Sequence, residues 1–187
     1  MKGRLTTREL TALALISSLI VLGKSLFRLP IHVPGHSGIF WMALLVVGRG
    51  VVRRPTAGTL MGFVSGVLAL ALAPGREGAL VAVKYLAAGA AVDAYLALIG
   101  GRLTSVVAAV VVGAVSNTAK LVTSLLLGFA LGVPGGYIAV GLGLATITHI
   151  AFGGLGGLLG SLVLDRLAKT GLPQFVGLRR PAEAVEP

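Results

Sequence analysis

An all-α bundle of six transmembrane helices with both termini in the cytoplasm is the fold this sequence predicts, and three observations predict it. Of 187 residues, 56% are hydrophobic and only 12% charged, and the mean hydropathy is +0.97. A soluble domain carries about 25% charged residues, so most of this surface must meet lipid. The apolar residues fall in runs near the length of about 20 residues that a helix needs to cross a bilayer. Lys and Arg alternate from loop to loop in the way that fixes membrane orientation.

The runs follow in order. The first covers residues 9–27, and the Pro/Gly-rich stretch 28–38 behind it reads as a structured loop. The second, 39–52, is short enough to begin inside that loop and stops at Arg53-Arg54-Pro55. The third, 56–73, ends at Pro74-Gly75, and the fourth, 78–99, at Gly100-Gly101-Arg102. The fifth, 103–131, is long enough to tilt and ends before Pro134; the sixth, 137–164, closes at Asp165-Arg166. Residues 1–170 then form one membrane domain, and 171–187, with three prolines and two glutamates, a solvated cytoplasmic tail.

With the N-terminus inside, the cytoplasmic segments collect Lys2, Arg4, Arg8, Arg49, Arg53, Arg54, Arg102, Arg166, Lys169, Arg179 and Arg180. The outer loops hold only Arg28 and Arg76. An odd number of spans breaks this alternation, so the chain is expected to be a multi-pass protein of the inner (plasma) membrane. The formal charge of +10 does not point to nucleic acid, because the basic residues sit between apolar runs and not along one soluble face. The chain has no cysteine, which excludes disulfides and thiolate chemistry.

Charged and polar groups inside the spans are costly in lipid and mark function by default. Lys84 lies near the outer end of the fourth span, and Asp93, nine residues on, falls on the opposite face. Asp93 is expected to neutralise Lys120 or another buried cation. Asn117, Lys120 and Ser124 share one stripe of the fifth span. His149 lies mid-way along the sixth, one turn from Thr146. Lys84, Asn117, Lys120 and His149 are expected to converge in the outer half around a small polar or anionic molecule. The plainer readings are a snorkelling Lys84, an interhelical glue role for Asn117 and a hydrogen-bonded core His149. The loop 29–38 and Trp41 behind it read as a wall or lid with His36 and Trp41 facing inward, or else as an interfacial loop with a belt tryptophan. Gly35 and Gly38 permit close approach there. Irregular spacing and the lack of an acidic partner argue against His32, His36 and His149 as a metal site, and no cofactor is expected. Ten aromatic residues argue against a heavily stacked pocket.

Gly153, Gly156, Gly157 and Gly160 form two overlapping G-x-x-x-G pairs, which allow helices to approach closely in lipid. Thr7, Thr11, Ala14 and Ser18 make a smooth stripe on the first span, suited to packing within the bundle or to docking a partner.

A basic-ended chain of six spans, with a small-residue stripe on helix one and a Pro/Gly loop after it, resembles the substrate-binding S components of energy-coupling factor (ECF) transporters. The resemblance covers nearly the whole chain in layout. In that family an alanine-x-x-x-alanine motif on helix one docks the coupling subunit. The matching positions are Ala14-Leu-Ile-Ser-Ser18, with serine in the second place. The resemblance implies capture of a vitamin-like nutrient from outside, and association with a transmembrane coupling subunit and two ATPase subunits. No phosphate-binding Gly-x-x-x-x-Gly-Lys loop occurs here, so ATP hydrolysis falls to a partner. Nickel and cobalt members carry an N-terminal histidine motif that Met1-Lys2-Gly3-Arg4 lacks. A self-contained secondary transporter or channel is the alternative. An intramembrane enzyme is disfavoured, since neither a His-Glu-x-x-His helix nor an ordered lipid-phosphatase motif is found.

Overall fold

The computed structural model describes residues 5–26, 33–72, 78, 80–101, 103 and 105–170. Among these the chain forms six α-helices and no strand: α1 Thr7–Leu26, α2 Gly38–Val51, α3 Ala57–Leu72, α4 Leu80–Leu98, α5 Val106–Ala130 and α6 Gly135–Lys169. Each helix falls on one of the apolar runs. Three helical segments, Leu80–Leu98, Val106–Ala130 and Leu142–Lys169, are long and apolar enough to cross a membrane, and α2 and α3 are shorter apolar helices. The expected 171–187 tail, Arg28, His32 and Arg76 lie outside the described residues.

Helix ends follow local chemistry. Thr6 and Glu9 form a capping box at the start of α1, with Thr6 N donating to Glu9 Oε2 at 2.8 Å and Glu9 N to Thr6 Oγ1 at 3.2 Å. Ser105 caps α5 by accepting from Ala108 N at 3.1 Å. Gly100 and Gly101 both have positive φ, which turns the chain after α4 at little steric cost.

The other five helices all contact α2. Helix α6 lies along α5 and α2, α3 along α4, α4 along α5, and α1 against α2 and α3. At 14 residues, α2 spans only about 21 Å, less than the hydrocarbon thickness of about 30 Å. Its neighbours enclose it instead: Trp41, Met42, Leu45, Val46, Val47, Gly48 and Arg49 are all buried.

Backbone proximity comes from glycine. A side chain on Gly153 or Gly157 would run into the α5 backbone at Gly113 and Ala109. One on Gly156 or Gly160 would run into α2 at Ile39, Met42, Ala43 and Val46. The two overlapping G-x-x-x-G pairs therefore face different partners and set α6 between α5 and α2. Gly58, Gly62 and Gly66 on α3 meet Gly89, Tyr85 and Ala82 on α4 in the same manner.

The expectation that Asp93 neutralises a buried cation holds, and the cation is Arg49. Arg49 Nε donates to Asp93 Oδ1 at 3.0 Å, with both residues buried. Counted among the cytoplasmic flanking charges by sequence, Arg49 thus lies inside the bundle. Asp93 also accepts from Gly58 N at 3.1 Å and from Thr59 N at 2.6 Å and Thr59 Oγ1 at 2.8 Å. It caps α3 from a neighbouring helix, satisfying amides the helix start leaves open. Arg49 Nη2 donates further to the Gly101 carbonyl at 3.3 Å, tying in the α4–α5 turn.

Candidate binding site

At the end of the bundle where α2 and α4 begin, four helices bring polar and aromatic side chains together. Trp41 sits on the first turn of α2, 4% exposed. Its ring meets Tyr85 of α4 edge-on, with centroids 5.0 Å apart and planes 69° apart, a favoured aromatic geometry. Lys120 of α5 places its Nζ 5.1 Å from the centre of the Trp41 ring, a cation–π contact that is stronger away from water. Antiparallel helices make this meeting possible. Long helical side chains lean toward their own N-termini, so Trp41 and Lys120 lean toward one another.

One turn from Lys120, the fully buried Asn117 donates from Nδ2 to the His149 carbonyl on α6 at 2.9 Å. His149 Nδ1 lies 2.7 Å from the Ala145 carbonyl. A carbonyl only accepts, so this nitrogen carries the proton. The loop glycines close the arrangement. Gly35 has φ +80°, and a Cβ there would stand 2.9 Å from His149 Nδ1; a Cβ on Gly38 would overlap the Asn117 amide. Only glycine lets this loop lie so near α5 and α6, as its composition implied.

Trp41, Asn117, Lys120 and His149 therefore converge. His36 is half-buried and turned into its own loop, with Nδ1 at 2.7 Å from the Val33 carbonyl. Lys84, on the second turn of α4, stands at the margin of that helix's buried face, and the contacts that define the cluster run through Tyr85 instead. Tyr85 was missed in the sequence. An aromatic residue beside an intramembrane lysine was the available signal. Ser124 and Thr146 donate to the carbonyls of Lys120 and Leu142 in their own helices. Among the described residues no group of three or more His, Asp or Glu side chains is placed to hold a metal.

Two buried polar atoms, Trp41 Nε1 and Asn117 Oδ1, find no hydrogen-bond partner among the described residues. Each such group costs about 1–3 kcal/mol, and native folds retain few of them. Both lie in this cluster.

The small-residue stripe of α1 points away from the bundle. Leu13, Ser17, Ile20 and Val21 form the buried face, while Thr7, Thr11 and Ala14 are exposed and Ser18 is half-exposed. Thr11 and Ser18 donate to Thr7 O and Ala14 O within the helix. The outward surface is thereby smooth, with the Thr11 and Ser18 hydroxyl protons already bonded.

This architecture has a counterpart of known structure. The crystal structure of an S component of an ECF transporter matches with a TM-score of 0.68, covering 92% of this chain and 90% of its own, at 22% sequence identity. No protein-family model matches the chain, and no curated protein matches it significantly. The fold is that of this S component, a bundle of six helices, at low sequence identity.

Proposed function

We propose that this chain is the membrane-embedded substrate-binding subunit of an ECF-type uptake transporter. It crosses the membrane six times with both termini in the cytoplasm and captures a small polar or anionic nutrient, vitamin-like in size, from outside. Trp41, Asn117, Lys120 and His149 form the binding surface, with Tyr85 behind Trp41 and with His36 and Lys84 at the margins. The exposed face of α1 at Ala14 and Ser18 docks a transmembrane coupling subunit, which two ATPase subunits drive. One observation carries the reading: a lysine, an asparagine and a tryptophan are gathered inside an apolar bundle with the S-component fold. An inert anchor has no use for them.

The alternative of a self-contained carrier needs a carboxylate available to a coupling ion. Asp93, the one acid well inside a span, is already engaged by Arg49, Gly58 and Thr59, which favours the S-component reading. Mass spectrometry of small molecules released from the purified chain tests it. A stoichiometric polar compound, absent from Lys120→Met, is the expected result; a chain that carries nothing and binds nothing contradicts it.

A further inference from the structure

From the pair of buried atoms at Trp41 and Asn117 we infer that the bound molecule presents an amide-like edge, an N–H donor beside a carbonyl or ring-nitrogen acceptor, as in a lactam, ureide or primary carboxamide. This rests on the reading of the cluster as a substrate site and goes further by naming the group recognised. The indole nitrogen of Trp41 can only donate. The Asn117 amide is oriented by its neighbour: the His149 carbonyl accepts only, so Nδ2 faces it at 2.9 Å and Oδ1 is the acceptor left over. Asn117 packs on Gly38, three residues before Trp41 on the same helix, so the two side chains meet α2 within about one turn of each other. One small functional group with a donor at one end and an acceptor at the other answers the two.

Simpler ligands fit less well. A carboxylate or phosphate offers acceptors alone: it suits Trp41 and Lys120 but sets oxygen lone pairs against Asn117 Oδ1. An ammonium offers donors alone and meets the Lys120 charge. A planar amide-like edge answers both atoms, and Lys120, over the Trp41 ring, adds donors on the carbonyl side. A flat group also suits a surface built from the Trp41–Tyr85 pair.

Trp41 is the sole tryptophan of the chain, so its fluorescence reports on this site directly. The detergent-purified full chain is titrated with uracil and benzamide, with their N-methylated counterparts 1,3-dimethyluracil and N,N-dimethylbenzamide, and with benzoate. The expected result is a saturable change in Trp41 emission with an amide-edged probe, weakened about tenfold or more when its N–H groups are methylated. Trp41→Phe keeps an aromatic ring but removes the donor, and in a thermal-shift assay it should lose the same preference. If that variant fails to fold, the methylation comparison on the unmodified chain still decides. Benzoate binding as well as benzamide, with methylation without effect, overturns the amide edge and leaves the substrate-binding reading standing. A co-purified molecule that lacks any N–H or acceptor edge does the same. No response to any probe, together with no co-purified molecule, overturns both.

Discussion

Lys120 Nζ lies 5.1 Å from the centre of the Trp41 ring, and this contact joins the first turn of α2 to the middle of α5 inside an apolar bundle. A cation kept there is expected to serve a ligand. Lys120→Met should retain helical content by circular dichroism and lower affinity for the co-purified ligand about ten- to hundredfold, the range for losing one charge-assisted hydrogen bond. Unchanged affinity by calorimetry removes Lys120 from the site.

Arg49 and Asp93 make an asymmetric pair. Asp93→Ala strands the Arg49 guanidinium and uncaps α3, and should cost about 3–5 kcal/mol, the range for breaking a buried pair. Arg49→Met leaves Asp93 held by Gly58 and Thr59 and should cost less. Thermal unfolding in detergent ranks the two, and equal losses would mean that the cap on α3 contributes nothing.

Glycine contacts are specific to position. Gly157→Ala drives a methyl into the α5 backbone at Ala109 and should destabilise by about 1–3 kcal/mol, as overpacking does. Gly154→Ala is the control, since its Cβ would meet only Val110, with Cγ1 at an ordinary 3.4 Å and the carbonyl oxygen at 3.9 Å. There the better helix propensity of alanine should leave stability equal or raise it by up to about 1 kcal/mol. Similar losses at both positions would refute this packing of α6 between α5 and α2.

Much of this fold was legible because its boundaries are punctuated. Pro55 behind Arg53-Arg54, Gly100-Gly101 and Pro134 each stand where a helix stops or starts. Which face of each helix is buried was harder to read. In lipid both faces are apolar, so Leu15 at 62% and Leu126 at 64% exposure look no different in sequence from the buried Ile20 and Met42. Small residues carried that information: the two glycine pairs of α6 were visible, while their separate partners were not. For the site, Asn117, Lys120 and His149 stood out by their cost in a membrane, and Gly35 and Gly38 by their freedom near a loop. The Arg49–Asp93 pair escaped because the two residues are 44 apart, and nothing local fixes the facing of α2 against α4. Tyr85 escaped because its role depends on that same facing.

Membrane topology can be read by labelling, because the chain contains no cysteine. Arg53→Cys and Val133→Cys replace exposed residues in turns at opposite ends of the bundle. An impermeant maleimide applied to intact cells should modify position 133 and spare position 53 until the cells are opened. Labelling of both from outside would contradict the proposed six-span arrangement.

The outward small-residue face of α1 leads to the central test. The tagged chain is extracted mildly from the membranes of the cells that make it, and the assembly is weighed by native mass spectrometry. The expected result is a complex of this chain with a membrane coupling subunit and two nucleotide-binding subunits, which falls apart in the Ala14→Leu/Ser18→Leu variant while the freed chain still holds its ligand. A chain found alone or only with copies of itself, and able to move its substrate across a reconstituted bilayer without ATP, would contradict it.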